Sequence, residues 1–158
     1  MYSSRSAIKN GKSEFRVRAL SVFADMIRIT DDVNEEDPEK LYHSFDGPNT
    51  SRYLTDLVKK PFGDISASAH DVLMAASEYS WGVSSIINVG GFLEYLLDRS
   101  AAKDKESKDR KYVLIGSICG QKEASNIVPP ELLKQLRTYV KQGAYYVEST
   151  VEVAIDEQ

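Results

Sequence analysis

Apolar residues recur along this chain with a helical period rather than an alternating one. In the stretch Glu14–Ile29 they fall at Phe15, Ala19, Val22, Phe23 and Met26. That i, i+4, i+7, i+8, i+11 spacing lines one face of an α-helix. Ser13 stands where an N-cap belongs. The stretch Ile65–Glu78 repeats the pattern with Ile65, Ala69, Val72, Leu73 and Ala76, and neither stretch contains an interior Pro or Gly. Between them, Thr30 to Pro38 is polar, and Asp37-Pro38 opens a short helix, because proline is tolerated in a first helical turn. Gly47-Pro48 breaks that helix, and Thr50 to Lys60 forms the next, closed by Pro61 and Gly63.

The second half continues in kind. Trp81–Val89 predicts a short helix ended by Gly90-Gly91, and Phe92–Arg99 restarts with Phe92, Leu93, Leu96 and Leu97. Ala101–Asp109 is charged and reads as a loop or a solvated helical turn. Arg110–Cys119 places Tyr112, Ile115 and Cys119 on one face, and Gly120 can stop it. Pro129-Pro130 precedes Glu131–Gln142, with Leu132, Leu133, Leu136, Tyr139 and Val140. From Ala144 the chain is rich in Val and Thr, and residues 148–158 are expected to be a flexible tail. Strands are not needed to explain a core, so the class is all-α.

The helices repeat. Leu54-x-x-Leu57, Leu93-x-x-Leu96 and Leu133-x-x-Leu136 recur about forty residues apart, a period typical of armadillo and HEAT arrays (roughly 40–47 residues). The run from Ala69-x-x-Val72-Leu73 through Ile86-Ile87 to Gly90-Gly91-Phe92 resembles the armadillo order of long helix, short helix, glycine turn and new helix. The expected architecture is an armadillo/HEAT-like α-solenoid of about two and a half to three repeats over 1–147. A repeat cannot bury its apolar face alone, so neighbours must stack, and the stack presents a curved surface suited to a protein partner.

Composition adds exclusions. Hydrophobic residues are 42% of the 158, enough for a core, and the formal net charge is −4 with 24 acidic and 20 basic residues interspersed. That balance lacks the basic footprint of a nucleic-acid binder and the polybasic patch of a membrane-surface binder. A single cysteine, Cys119, rules out an intramolecular disulfide. No apolar run reaches the length of a membrane span, and Met1–Lys9 has no apolar signal core. The expected compartment is the cytoplasm or the nucleus.

No constellation for catalysis emerges, and the chain is expected to be neither an enzyme nor cofactor-dependent. His43 and His70 lack spaced ligand partners. Cys119 lies on an apolar face, where a small core residue is the plainer reading than a nucleophile. Gly90-Gly91 lacks a phosphate-loop pattern. The acids Asp31, Asp32, Glu35, Glu36 and Asp37 lack the ligand order of a calcium loop. Trp81 is expected to pack between adjacent repeats, and Tyr139, Tyr145 and Tyr146 to cover the last one.

The second half also carries more specific words. These are Lys60-Pro61-Phe62, Ser80-Trp81, the run Gly91-Phe92-Leu93-Glu94-Tyr95-Leu96-Leu97-Asp98-Arg99-Ser100, the charged run Lys103–Tyr112, Leu136-Arg137-Thr138-Tyr139, and Gly143-Ala144-Tyr145-Tyr146-Val147. In this order they resemble the C-terminal part of the proteasome non-ATPase regulatory subunit five family. The resemblance covers about Lys59 to Val147. It implies the end of a longer cytosolic solenoid, a non-catalytic chaperone for assembly of the base of the proteasome regulatory particle. The implied partners are the C-terminal domain of one base ATPase subunit and associated base subunits. The candidate contact residues are Tyr95, Asp98, Arg99, Lys108, Lys111, Tyr112 and Arg137. The alternative is a generic armadillo-type adaptor or a nucleotide-exchange module for a chaperone ATPase.

Overall fold

The computed structural model describes residues 12–29, 36–60 and 63–147. The acids at 31, 32 and 35, the Pro61 break and the tail 148–158 lie outside the described residues. Among the described residues there are nine α-helices and no strand. They are α1 (Ser13–Ile29), α2 (Glu36–His43), α3 (Thr50–Val58), α4 (Gly63–Ser77), α5 (Ser80–Ile87), α6 (Phe92–Leu97), α7 (Lys105–Gly120), α8 (Ala124–Ile127) and α9 (Pro130–Gln142). The fold is all-α and solenoid-like. The long helices form one layer in chain order, with α4 packed against α1 on one side and α7 on the other. The shorter helices make a second layer, in which α5 meets α3 and α8, and α9 meets α6 and α7.

One hydrophobic core runs through both layers, from Leu20 in α1 to Tyr139 in α9. Its centre is α4, where Ile65, Ala69, Val72, Leu73 and Ala76 are all buried, as their helical spacing predicts. Small residues let α4 approach a helix on each side: Ala75, Ser68 and Ser77 are buried beside the larger ones. Hydroxyl pairs tie neighbouring helices together within each layer. Ser77 and Ser117 share a 2.6 Å hydrogen bond between α4 and α7, and Ser51 and Ser85 a 2.7 Å bond between α3 and α5. Trp81 fills the seam between α5 and α2, 5.4 Å from the Tyr42 ring and stacked on Tyr79 at 5.3 Å.

The turns follow local chemistry. Gly91 adopts φ +83° between α5 and α6, and Gly143 φ +96° after α9, conformations that L side chains rarely adopt. Asp104 caps α7, its carboxylate accepting from the Ser107 amide at 3.3 Å. The charged run at 101–109 therefore is not all loop: from Lys105 it forms the first turn of α7, with the Lys105–Asp109 pair at 2.9 Å on its surface. The short α8, Ala124–Ile127, has no periodic signal in the sequence and is anchored by buried Ala124 and Val128.

Two helices present a different face to the core than their spacing predicts. In α1 the buried residues are Leu20, Phe23, Ala24 and Ile27, whereas Phe15, Val22 and Met26 point to solvent. In α7 they are Lys111, Leu114, Ile115 and Ile118, while Tyr112 and Cys119 sit at the margin, half-buried. Both helices carry more apolar surface than one face can hold, so the position of the neighbour selects which arc is covered.

Candidate functional site

The junction of α6, α7 and α9 holds most of the predicted contact residues. After α6, Asp98 leaves the helix in an extended conformation and its carboxylate accepts from the Ser100 amide (3.0 Å) and hydroxyl (2.6 Å). These bonds hold the Asp98 carboxyl below the usual carboxylate range. They also fix the short 3₁₀ turn Arg99–Ala101, which swings the Arg99 side chain onto the end of α9. There the guanidinium lies 3.8 Å from the Tyr139 ring centroid and 5.1 Å from that of Tyr146. It donates to the carbonyl of Gly143 at 2.8 Å and to that of Tyr139 at 3.2 Å. A helix C-terminus has unpaired carbonyls and a partial negative charge, so a planar cation is held there by both hydrogen bonds and ring stacking.

Beside this clamp lies a cleft of about 640 Å³, lined by residues that include Asp98, Arg99, Lys108, Gln135, Tyr139 and Tyr146. Asp98 is exposed, and Arg99 and Lys108 are half-buried. The cleft therefore offers a carboxylate, two cations, two phenol rings and amide groups on a partly apolar wall, the mixture found at protein-binding surfaces. Tyr145, outside the lining, donates its hydroxyl to Asp109 while its ring faces Lys105.

Lys111 differs from the reading of it as a surface contact: it is 0% exposed. Its ammonium donates to the Asp98 carbonyl and sits 5.2 Å from the Tyr95 centroid and 5.9 Å from that of Tyr139. Burial pulls its pKa down to about 8, partly opposed by Asp98. Lys111 cannot touch a partner without local unfolding; it props up the floor of the cleft instead. Tyr95 is half-buried, stacked on Phe92 at 5.8 Å, and lines a neighbouring pocket with Lys59, Lys103 and Arg110. Tyr112 packs on the core. Arg137 lies on a separate shallow groove with Lys134 and Lys141. The structure thus brings together Asp98, Arg99 and Lys108, and separates Tyr95, Tyr112 and Arg137 from them. Gln135 and Gln142 join the cleft; their seven-residue spacing places them on one face of α9, which was a readable signal.

The titratable groups elsewhere do not form a reactive set. His70 is buried, and burial with nearby Arg110 and Lys111 lowers its pKa to about 3, so it is neutral and a poor base near pH 7. Burial pushes the Cys119 thiol up, the reverse of what a thiolate nucleophile needs. Among the described residues no group of three His, Cys, Asp or Glu is placed to hold a metal. No helix among them is long and apolar enough to cross a membrane.

The model of the family described as "Proteasome non-ATPase 26S subunit" matches residues 1–158. The chain belongs to this family. Its similar relatives carry the name 26S proteasome non-ATPase regulatory subunit 5. The protein from Homo sapiens is 28% identical over 94% of this chain, and that from Bos taurus is 28% identical over the same share. The protein from Drosophila melanogaster is 29% identical over 74% of the chain. The match spans only 30% of the human and bovine proteins and 22% of the fly protein. No solved structure matches the chain.

Proposed function

We propose that this chain is a binding module of a proteasome-associated, non-catalytic chaperone, acting in assembly of the base of the regulatory particle. The cleft between α6, α7 and α9 would hold the C-terminal domain of a base ATPase subunit, with associated base subunits as further partners, in the cytoplasm or nucleus. The observation that carries this reading is the family match over the whole chain. The cleft supports it: Asp98 and Lys108 offer opposite charges at its rim while Arg99 and Tyr139 form a rigid aromatic-cationic wall. Such a surface can select a partner by charge register without chemistry.

The direct test is a pull-down of base ATPase subunits with the tagged chain. At least one ATPase subunit is expected to be enriched over a tag-only control. A double charge reversal, Asp98→Lys with Lys108→Glu, should reduce that recovery, and so should Lys108→Glu alone, which leaves the Asp98–Ser100 bonds intact. No enrichment with the tagged chain, or undiminished recovery with the double variant, would refute the corresponding part of the proposal.

A further inference from the structure

Two buried nitrogens where α4 meets α7 have no hydrogen-bond partner: Nδ1 of His70 and Nε of Arg110. His70, on α4, is only 4% exposed. Arg110, on α7, uses its other nitrogens, donating from Nη2 to the Ser107 hydroxyl at 3.5 Å and placing Nη1 3.8 Å from the Glu106 carboxylate. Its Nε–H is left over. An arginine Nε can only donate, and Nδ1 of a neutral histidine donates in one of its two tautomers. Buried donors without an acceptor weaken a fold. A ligand that brings acceptor oxygens to both would satisfy them.

Both side chains line one pocket of about 320 Å³, at the end of α3 and the starts of α4 and α7. That is the small end of the range for ligand pockets, roughly 300–1,000 Å³. Its charge is unbalanced. Lys59, Lys60 and Lys103 also line it and are exposed. Among the described residues none of the three pairs with a carboxylate; Lys59 lies over the Tyr95 ring at 5.5 Å instead. The two acids of the lining are already engaged, Asp104 on the Ser107 amide and Glu106 on Arg110. Three lysines and Arg110 against these two acids leave a formal excess of two positive charges. The first turn of α4 opens on the same space with Gly63 and Ser66, and a helix N-terminus adds unpaired N–H groups and partial positive charge. Arg110 and Lys111 both disfavour a proton on His70, which reports the same positive field. The pocket shares no lining residue with the Asp98–Arg99 cleft.

We propose that this pocket is an anion site for a phosphate dianion, as carried by a phosphorylated serine or threonine side chain. A phosphoseryl group bears about −1.5 to −2 charges near pH 7, which matches the excess. Its three oxygens are tetrahedrally arranged, so they can meet donors from several elements at once: the lysines after α3 and before α7, Arg110 from α7 and His70 from α4. A planar carboxylate reaches fewer of them. Arg110 and His70 give the acceptor its fixed donors, and the lysines supply charge. No bond is made or broken, and the site does not depend on what the cleft holds.

The test titrates the 158-residue chain with N-acetyl-O-phosphoserine amide, inorganic phosphate and acetate by calorimetry at constant ionic strength. Saturable binding at one site is expected for the phosphoserine, more weakly for inorganic phosphate, and not for acetate. The chain has two histidines, so proton NMR locates the site: the His70 C2–H signal should move with phosphoserine while that of His43 stays. Lys60→Glu with Lys103→Glu changes two exposed side chains and should weaken binding at least tenfold with the melting temperature unchanged. Arg110→Met removes the Nε donor and should do the same in a variant shown to be folded by circular dichroism. Absence of saturable phosphoserine binding would overturn the proposal, as would full affinity in the lysine double variant or a shift at His43 alone. Acetate binding as tightly as phosphoserine would reassign the pocket to carboxylates, and tighter binding of inorganic phosphate would reassign it to the free ion; either result overturns the phosphorylated side chain as occupant.

Discussion

Gly82 gives the sharpest stability prediction, because local propensity and tertiary packing predict opposite signs. It sits inside α5, where exchanging glycine for alanine favours the helix by about 1 kcal/mol through lower backbone entropy in the unfolded chain. In the folded protein a Cβ at residue 82 would lie 1.8 Å from the Ala76 carbonyl oxygen and 2.4 Å from its carbon. Those atoms are backbone at the end of α4, and the same oxygen accepts from the Tyr79 amide at 3.1 Å in the corner between the two helices. Neither can rotate away as a side chain would. Overpacking of a tight core costs about 1–3 kcal/mol, and a backbone clash belongs at the upper end. Setting about 3 kcal/mol of strain against about 1 kcal/mol of propensity leaves Gly82→Ala destabilised by about 2 kcal/mol. At roughly 2–4 °C per kcal/mol for a chain of this size, Tm should fall by roughly 4–8 °C. Circular dichroism melts of the wild type and variant decide it, with urea unfolding to confirm that the m-value is unchanged. A Tm equal to or above wild type would refute the close α4–α5 approach.

Phe23→Ala should cost about 3–5 kcal/mol, as expected for a buried aromatic, whereas Phe15→Ala should stay within about 0.5 kcal/mol in this chain; urea midpoints compare them. His70 has its folded pKa, about 3, below the unfolded value near 6.5, so the unfolded state binds more protons between them. Stability is present above pH 6.5 and lost as pH falls toward 3, by roughly 2–3 kcal/mol at pH 4.5. The drop between pH 7 and 4.5 should shrink by that amount in His70→Leu, and an undiminished drop would rule out His70 as its source. Arg99→Lys keeps the charge but loses the planar fork that stacks on Tyr139 and reaches two carbonyls. Amide exchange at 140–147 should quicken with a stability loss of about 1–2 kcal/mol; unchanged protection would show that Arg99 does not hold this segment.

The all-helical class and most helix positions were determined by the sequence, because they depend on local rules: apolar period, proline and glycine breaks, and capping. The leucine pairs at 54/57, 93/96 and 133/136 all lie on helices, α3, α6 and α9, as their spacing predicts. What the sequence left open was which arc of an over-apolar helix is covered. Phe15, Val22 and Met26 share a helical stripe, and Leu20, Phe23, Ala24 and Ile27 form one just as regular, yet only the second set is buried. A helical period identifies a stripe, but only a neighbour's position decides whether that stripe meets protein or water. The same limit applies to Lys111. Its charged run predicts a solvated residue, and the side chain is buried because Tyr95 from α6 and Tyr139 from α9 close over it. The cleft beside it likewise joins residues from three helices some forty positions apart. No local pattern encodes such a meeting, since it follows from how far each helix turns and stacks on the one before.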